Sequence, residues 1–450
     1  MVLLFVLMLI TQSTAATINS VYFSVINNEQ YQCNDPTCSL STTVSVSDLR
    51  HCEVACLVDI TCRTLTFDES SHACQLFLDS PNERGTLLAQ TDVITLLVLS
   101  NRPAPIVCTS MFNNQSVYAT GASPLSVTVG DLNGDMKSDL VITNFGTSSI
   151  SVLINAGNGS FLPNVNYTAG SSTAAAAIAD LNKDNKSDII VVNMQAATIS
   201  VLFNAANGFF PNQTVYSTGS TPSSIAVADV DKNNLYDVVV SNFDDNTVGV
   251  FMNMGNGILH DQVLYSTGSG PISIVVVDIN GDSYSDILVA NYNSDTISLL
   301  LNAGNGTFLN QTTFATGSTP QAIAVADFNL DDQLDIVVAN YGSDNIGVLI
   351  NTGGGSFSAQ TTYPCGNDPV AVAVGDMNND NLMDIIVTNS ASNNVVIYIN
   401  AGNAVFPNKT TYSTRTSPAW VSVADLNNDE KLDLIVLNSG FNDVAVQLHC

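Results

Sequence analysis

Basic side chains are scarce in this 450-residue chain. Eleven Lys and Arg stand against 40 Asp and Glu, for a formal charge of −29 at pH 7. A chain this acidic has no patch to neutralise phosphates, which excludes nucleic acid as a partner. It equally lacks a cationic face for anionic membrane surfaces. Histidine is almost missing: only His260 and His449 occur beyond residue 107, so a His-centred catalytic constellation has little to build on. Long apolar runs are missing too. Beyond the first ten residues the long apolar stretch is Val93 to Leu99, a strand's length, so no mature segment is expected to span a bilayer. The leading run, Met1 to Ile10, is too short to cross one. With the small residues Ser13-Thr-Ala-Ala16 after it, and no basic residue before it, residues 1–16 read as a secretory signal. The expected protein is therefore exported and secreted.

What acid there is lies in clusters. Of the 30 Asp and Glu from Cys108 onward, 23 fall inside seven loops spaced 49 residues apart. The first loop reads Asp131-Leu-Asn133-Gly-Asp135-Met-Lys-Ser-Asp139, and its positions 1, 3, 5 and 9 carry oxygen side chains. The same positions in the later loops are Asp180, Asn182, Asp184 and Asp188; Asp229, Asp231, Asn233 and Asp237; and Asp278, Asn280, Asp282 and Asp286. The last three loops hold Asp327, Asn329, Asp331 and Asp335; Asp376, Asn378, Asp380 and Asp384; and Asp425, Asn427, Asp429 and Asp433. Each supplies three carboxylates, the oxygen-only donor set that a hard cation such as Ca²⁺ requires. Up to seven Ca²⁺ would offset about half of the net charge. A catalytic metal would need open positions and a neighbouring base, which nothing in the sequence suggests, so these ions are read as structural. The loops resemble those of FG-GAP-type calcium sites, and that resemblance implies a left-handed turn at position 6, for which Gly is suited. Here it holds Met136, Asn185, Asn234, Ser283, Asp332, Asn381 and Glu430. Met136 and Glu430 suit it least, so loops one and seven are expected to be the weakest.

Each 49-residue unit reads as four short strands. In the third, Ser224-Ile-Ala-Val-Ala leads into the acidic loop, Asp237-Val-Val-Val-Ser-Asn242 leaves it, Thr247 to Met252 follows a turn, and a fourth strand lies near 261–267. Helical periodicity is absent. Seven such units repeated radially predict a mainly β, seven-bladed β-propeller over residues 108–450. Asn144, Asn193, Asn242, Asn291, Asn340, Asn389 and Asn438 recur at the end of strand two and read as structural caps. The repeats start with an outer strand, about 114–120, and end with three inner ones, so the N-terminal strand is expected to complete the last blade. Cys108 and Cys450 then sit on consecutive phases of the repeat, and a disulfide between them would lock the seam in an oxidising compartment. The alternative is two free or differently paired thiols. Cys365 is left over as an unpaired, buried thiol.

These loops resemble the calcium loops of FG-GAP repeats, as in integrin α-chain propellers, and of VCBS-type repeats. Asn144-Phe-Gly146 and Asn340-Tyr-Gly342 are similar to the "FG" element, and Gly121-Ala-Ser-Pro124 and Gly317-Ser-Thr-Pro320 to a relaxed "GAP" element. The resemblance implies side-chain ligands at positions 1, 3, 5 and 9, a backbone carbonyl at position 7, and ligand binding on the face away from the metal loops. Affinity in the weak extracellular class, about 10⁻⁴–10⁻³ M, is expected.

Residues 17–100 hold six of the nine cysteines, and residues 101–107 form a short Pro-containing linker. Cys52-Glu-Val-Ala-Cys56, Cys62 and Cys74 resemble a PAN/apple module, a small disulfide-rich α+β domain that mediates protein or carbohydrate contacts. The resemblance implies a helix carrying two of the cysteines and the pairs Cys52–Cys74 and Cys56–Cys62. Cys33 and Cys38 remain for a local pair, although six cysteines alone allow fifteen pairings. A stapled spacer without a binding role is the alternative.

Eight Asn-X-Ser/Thr sequons, at Asn114, Asn158, Asn166, Asn185, Asn212, Asn305, Asn310 and Asn408, fit an exported chain. On the metal-free face, the loops between strands two and three carry Phe145, Phe243, Tyr292, Tyr341 and Phe441. The repeat breaks once there. Arg415 replaces a Gly found in the six other units, and Trp420, the single Trp, replaces Ser or Ala. Either these two form a ligand site with Phe441 and Asp443, Arg and Trp being frequent anchors, or Trp420 fills the central channel and Arg415 is solvated. The function expected is adhesion or recognition of an extracellular protein or glycan. A carbohydrate-active lyase or hydrolase would need a carboxylate pair at working distance, and outside the loops the propeller offers Asp244, Asp245, Asp261, Asp295, Asp344, Asp368 and Asp443. A purely structural matrix role is the third possibility. The oligomeric state is not set by the sequence.

Overall fold

The computed structural model describes residues 111–112 and 115–450 in full and, nearer the N-terminus, the backbone of five strands. The signal segment, the linker, Cys108, the helix expected around Cys52 and Cys56, and the pairings of Cys33, Cys38, Cys52, Cys56, Cys62 and Cys74 lie outside the described residues. Chain contacts divide the protein into Met1–Thr109 and Ser110–Cys450. In the first unit the strands Phe23–Cys33, Leu40–Ser45, Thr64–Asp68, Ala73–Phe77 and Gly85–Val98 form one antiparallel sheet, in the order first, fifth, third, fourth, second.

The second unit is a seven-bladed β-propeller of four-stranded antiparallel sheets. Blades one to six span residues 124–168, 173–217, 222–266, 271–315, 320–364 and 369–413. Blade seven takes its inner three strands from 418–447 and its outer strand, Ser116–Ala119, from the other end of the chain, with Val444 opposite Tyr118. The first strand of each blade lies beside that of the next, and that of blade seven beside that of blade one, which closes the ring. A single 3₁₀ turn, Tyr341–Ser343, is the only helical element among the described residues. No helix there is long and apolar enough to cross a membrane.

The burial explains why the sequence folds so. Second strands such as Asp188–Asn193 and Asp286–Asn291 are buried at every residue, because each is covered on both faces by neighbouring blades. Outer strands are exposed except at one position, an aromatic that in every blade but the second packs edge-on against a ring of the next blade, Tyr216 meeting Leu259 instead. Tyr118 meets Phe161, Tyr167 meets Phe210 and Tyr265 meets Phe308, with centroids 5.3–5.4 Å apart. Phe112 continues this series. It lies 49 residues before Phe161, is buried, and packs on Tyr412 of blade six at 5.2 Å. The propeller's first and last segments thus share blade seven, where the Cys450 N–H donates to the Met111 carbonyl at 2.9 Å. Cys450 is disulfide-bonded; its partner lies outside the described residues.

Candidate functional site: the acidic loops and the opposite face

Each acidic loop wraps its backbone around its first carboxylate. In all seven, the N–H of position 5 donates to one oxygen of the position 1 Asp at 3.0–3.3 Å. The N–H of position 6 donates to the other at 2.6–2.8 Å. This needs a left-handed residue at position 6, and every loop has one, Met136 (φ 62°) and Glu430 (φ 64°) included. Those two residues were expected to fit badly, yet the two N–H bonds hold them in the conformation that Asn185 and Asn381 adopt.

The position 9 Asp is placed differently. Asp139, Asp188, Asp237, Asp286, Asp335, Asp384 and Asp433 are fully buried. One oxygen accepts the N–H of position 2 at 2.8–3.2 Å. The other accepts an N–H from the loop joining strands three and four at 2.7–2.9 Å. In six blades that N–H belongs to an Asn: Asn155, Asn204, Asn253, Asn302, Asn351 or Asn400. Its side-chain amide reaches the position 2 carbonyl of the preceding blade at 2.7–2.9 Å. A relay of loop, Asp, Asn and next loop thus runs round this face. Sequence reasoning missed these asparagines, although they recur with the 49-residue period. In blade seven His449 takes the place; its N–H still bonds Asp433, but its Nδ1 is buried without a partner.

In the third loop the carboxylates converge as a cation would need, and among the described residues no other loop brings three so close. Asp229, Asp231 and Asp237 bring carboxylate oxygens within 4.8 Å of one another. Burial lifts Asp188, Asp237, Asp286, Asp384 and Asp433 to about 6, the neighbouring loop carboxylates add to the rise, and the backbone N–H donors partly offset it. Asp139 and Asp335 are raised for the same reasons. Crowded oxygen donors in a tight loop fit Ca²⁺, which takes 6–8 such ligands, and the residues that could hold it are those at positions 1, 3, 5 and 9. In loops one and two a lysine competes: Lys137 pairs with Asp135, and Lys186 with Asp184, both at 3.0 Å. These pairs are solvated and weak. Lys137→Gln with Lys186→Gln is therefore expected to lower the calcium needed for half-maximal thermal stabilisation by no more than about fivefold, with no change in chelator.

The opposite face is organised by the recurring asparagines. In five blades their Oδ1 accepts the N–H of a Gly just ahead of the same blade's first strand, as in Gly121 to Asn144 at 2.9 Å and Gly219 to Asn242 at 3.0 Å. A Cβ at Gly121 would lie 2.6 Å from the Asn144 Cγ, so the position favours Gly. Arg415 occupies it in blade seven, where the Asn438 Oδ1 is without a partner, as is the Asn291 Oδ1 of blade four, whose Gly268 N–H goes to Ser298 Oγ. Asp443 accepts from the Asn438 Nδ2 at 2.9 Å and forms an ion pair with the Arg415 guanidinium, which stacks 4.2 Å over the Phe441 ring. Arg415, Phe441 and Asp443 do come together. Trp420 lies apart from that pairing, lining a cavity of about 540 Å³ at the metal-free end of the axis. Of the residues heading the loops between strands two and three, Met194, Phe243, Ser390 and Ser439 line it, and Phe145, Tyr292 and Tyr341 hold the equivalent positions in the other blades. Phe145, Met194, Phe243, Tyr292 and Tyr341 come from five consecutive blades, Ser390 and Ser439 from the last two. Phe243 to Tyr292 and Tyr292 to Tyr341 lie 6.3 and 6.4 Å apart, an unbroken aromatic arc. Asp244, Asp245, Asp295 and Asp344 each accept a hydrogen bond from a loop leading into a first strand. Cys365 is free but half-buried, not buried as expected; burial and Asp344 push its thiol up to about 12, so it is inert as a nucleophile.

The FG-GAP-like repeat family matches residues 131–191, 180–240, 229–289, 278–338, 331–387 and 376–436. A PAN domain matches residues 26–98. No curated protein matches the chain. Among solved structures it is similar to BBS1N in complex with ARL6DN, at 14% identity over 76% of this chain and 98% of that one, TM-score 0.55. It is also similar to a virginiamycin B lyase from Staphylococcus aureus, at 14% identity over 75% and 100%, TM-score 0.52. An Agrocybe aegerita lectin, described as recognising non-reducing terminal N-acetylglucosamine, is 18% identical over 68% and 92%, TM-score 0.50. At these identities the likeness is one of fold.

Proposed function

The chain belongs to the FG-GAP-like repeat family, and from that premise we propose that it is a secreted, calcium-stabilised recognition protein. Its propeller binds an extracellular protein or glycan on the face away from the acidic loops, and the PAN domain adds a second recognition module. The observation that carries this reading is the division of labour between the two faces. On one face the loop groups are spent on holding the loops and joining blade to blade. On the other, an aromatic arc borders an open cavity, the mixture of apolar anchors and polar groups that binding surfaces favour. A lectin shares the fold, which supports a propeller's capacity to carry a glycan site.

A panel of matrix proteins and glycans, probed with the secreted protein in calcium and in chelator, tests this. The double variant Tyr292→Ala, Tyr341→Ala is expected to weaken the bound ligand by about tenfold or more while leaving the melting temperature in place. Phe209→Ser, an exposed change on the acidic face, is expected to do nothing. Loss with Phe209→Ser and none with the tyrosine pair would reverse the assignment of faces.

A further inference from the structure

The axial cavity on the metal-free face has two unlike walls. On blades two to four it is apolar, with Met194, Phe243 and Ile272. Each hydroxyl that lines this side already makes at least one hydrogen bond. Ser223 Oγ donates to the Pro271 carbonyl, Ser224 Oγ accepts the Ile274 N–H and Ser273 Oγ the Ile323 N–H. On blades five to seven the cavity meets Gln321, Ser390, Ser417, Ser439 and Trp420. Among the described residues nothing bonds the Gln321 amide, the three serine hydroxyls or the Trp420 indole N–H. Those atoms are not sealed from solvent either. Five polar groups with free bonding capacity thus face an apolar wall. No lining residue is charged, in a protein of net charge −29.

We propose that this cavity binds a neutral pyranose ring. The inference rests on the reading that the metal-free face is the recognition face, and it names the ligand class and the place. A pyranose has an apolar C–H face to lay on an aromatic or aliphatic wall and a rim of hydroxyls that both donate and accept. The free groups here match that rim: an amide that does both, hydroxyls that do both, and an indole that donates. A charged ligand would lose hydration with no counter-charge in the lining to replace it. The volume lies within the 300–1,000 Å³ range of small-ligand sites and admits one or two rings. Trp420 is what makes the cavity asymmetric. Ser126, Ala175, Ser224, Ser273, Ala322 and Ala371 hold its place in the other blades, so blade seven alone adds a stacking surface.

Calorimetric titration of the full chain with methyl glycosides of neutral hexoses and N-acetylhexosamines, and with a uronic acid glycoside, tests the proposal. At least one neutral glycoside is expected to bind, and the uronate not. Trp420→Ser restores the residue of three other blades and is expected to weaken binding at least tenfold in a protein that still folds, at some cost in melting temperature because the ring also packs on the core of blade seven. Ser273→Trp, which fills the cavity from the other wall, is expected to abolish it. A neutral glycoside bound equally well by both variants overturns the cavity assignment but leaves the recognition face standing, if the Tyr292 and Tyr341 variant loses it. A folded protein that binds no neutral glycoside, or binds only the uronate, overturns the sugar assignment. Binding of a matrix protein that the tyrosine pair weakens and Trp420→Ser does not would show the face recognising protein outside this cavity.

Discussion

Chelating calcium is expected to destabilise the folded propeller by about 5–12 kcal/mol at about 2 mM ion, summed over seven sites in the weak extracellular class. Each site contributes only about 0.6–1.8 kcal/mol; the size of the effect comes from their number. Chemical denaturation in calcium and in chelator measures it. The pH dependence makes the test sharper. Without the ion, Asp188, Asp237, Asp286, Asp384 and Asp433 sit near 6 because burial penalises their charge, against 3.8 when unfolded. A carboxylate raised on folding adds stability below its unfolded value and loses it as pH rises through its folded value. In chelator the protein is therefore expected to be more stable at pH 5 than at pH 7. In calcium the order reverses, because protonating these groups releases the ion. Stability profiles that run parallel in the two conditions would remove calcium from the loops.

Much of this architecture was legible because the repeat is long and strict. The 49-residue period, the Val/Ile-rich second strand after each loop and the outer strand ahead of the first unit are all local patterns, and they predicted the closed ring and the shared seventh blade. The capping role of Asn144 and its counterparts was legible for the same reason. What could not be read was anything that depends on which blade lies next door. Asn204 looks like an ordinary turn residue until the fold sets its amide against the carbonyl of Leu132, 72 positions earlier. The two walls of the axial cavity come from six or more separate segments. Whether a serine hydroxyl there donates within the protein, as in Ser223, or is free, as in Ser417, depends on contacts that only the closed ring creates.

Arg415 illustrates the converse. Read as a sequence, it is a basic anchor breaking a run of glycines. In the structure its Cβ stands where the asparagine cap needs room, and its guanidinium is drawn onto Asp443 and Phe441. The break in the repeat at 415 is therefore accounted for within blade seven, whereas Trp420 packs in part on the core there and in part lines the axial cavity. Position 6 of the loops teaches a similar lesson. A left-handed Met136 or Glu430 costs about 1 kcal/mol, and the two N–H bonds to the first carboxylate are enough to hold it there.

The asparagine relay predicts that one loop position matters far more than its neighbours even with no ion bound. Asp237 is fully buried and accepts the N–H groups of Val230 at 3.0 Å and Asn253 at 2.8 Å. Asp237→Ala leaves both donors unsatisfied inside the protein, at about 1–3 kcal/mol each. It also loosens Asn253, which holds the Leu181 carbonyl of blade two at 2.9 Å, so the damage reaches a second blade. Asp237→Asn is the finer probe, since it removes the desolvated charge and keeps one acceptor but turns an N–H₂ toward the other donor. Both variants are expected to lower stability in chelator as well as in calcium, alanine by about 2–5 kcal/mol. Asp282, at position 5 of loop four, is exposed, and its carboxylate bonds only groups of its own loop. Asp282→Ala is expected to lower stability in calcium by about one site's share, roughly 0.6–1.8 kcal/mol, and to change little in chelator. A position 9 variant that melts like the parent in chelator would show that the relay does not hold the blades together, and that these carboxylates serve the ion alone.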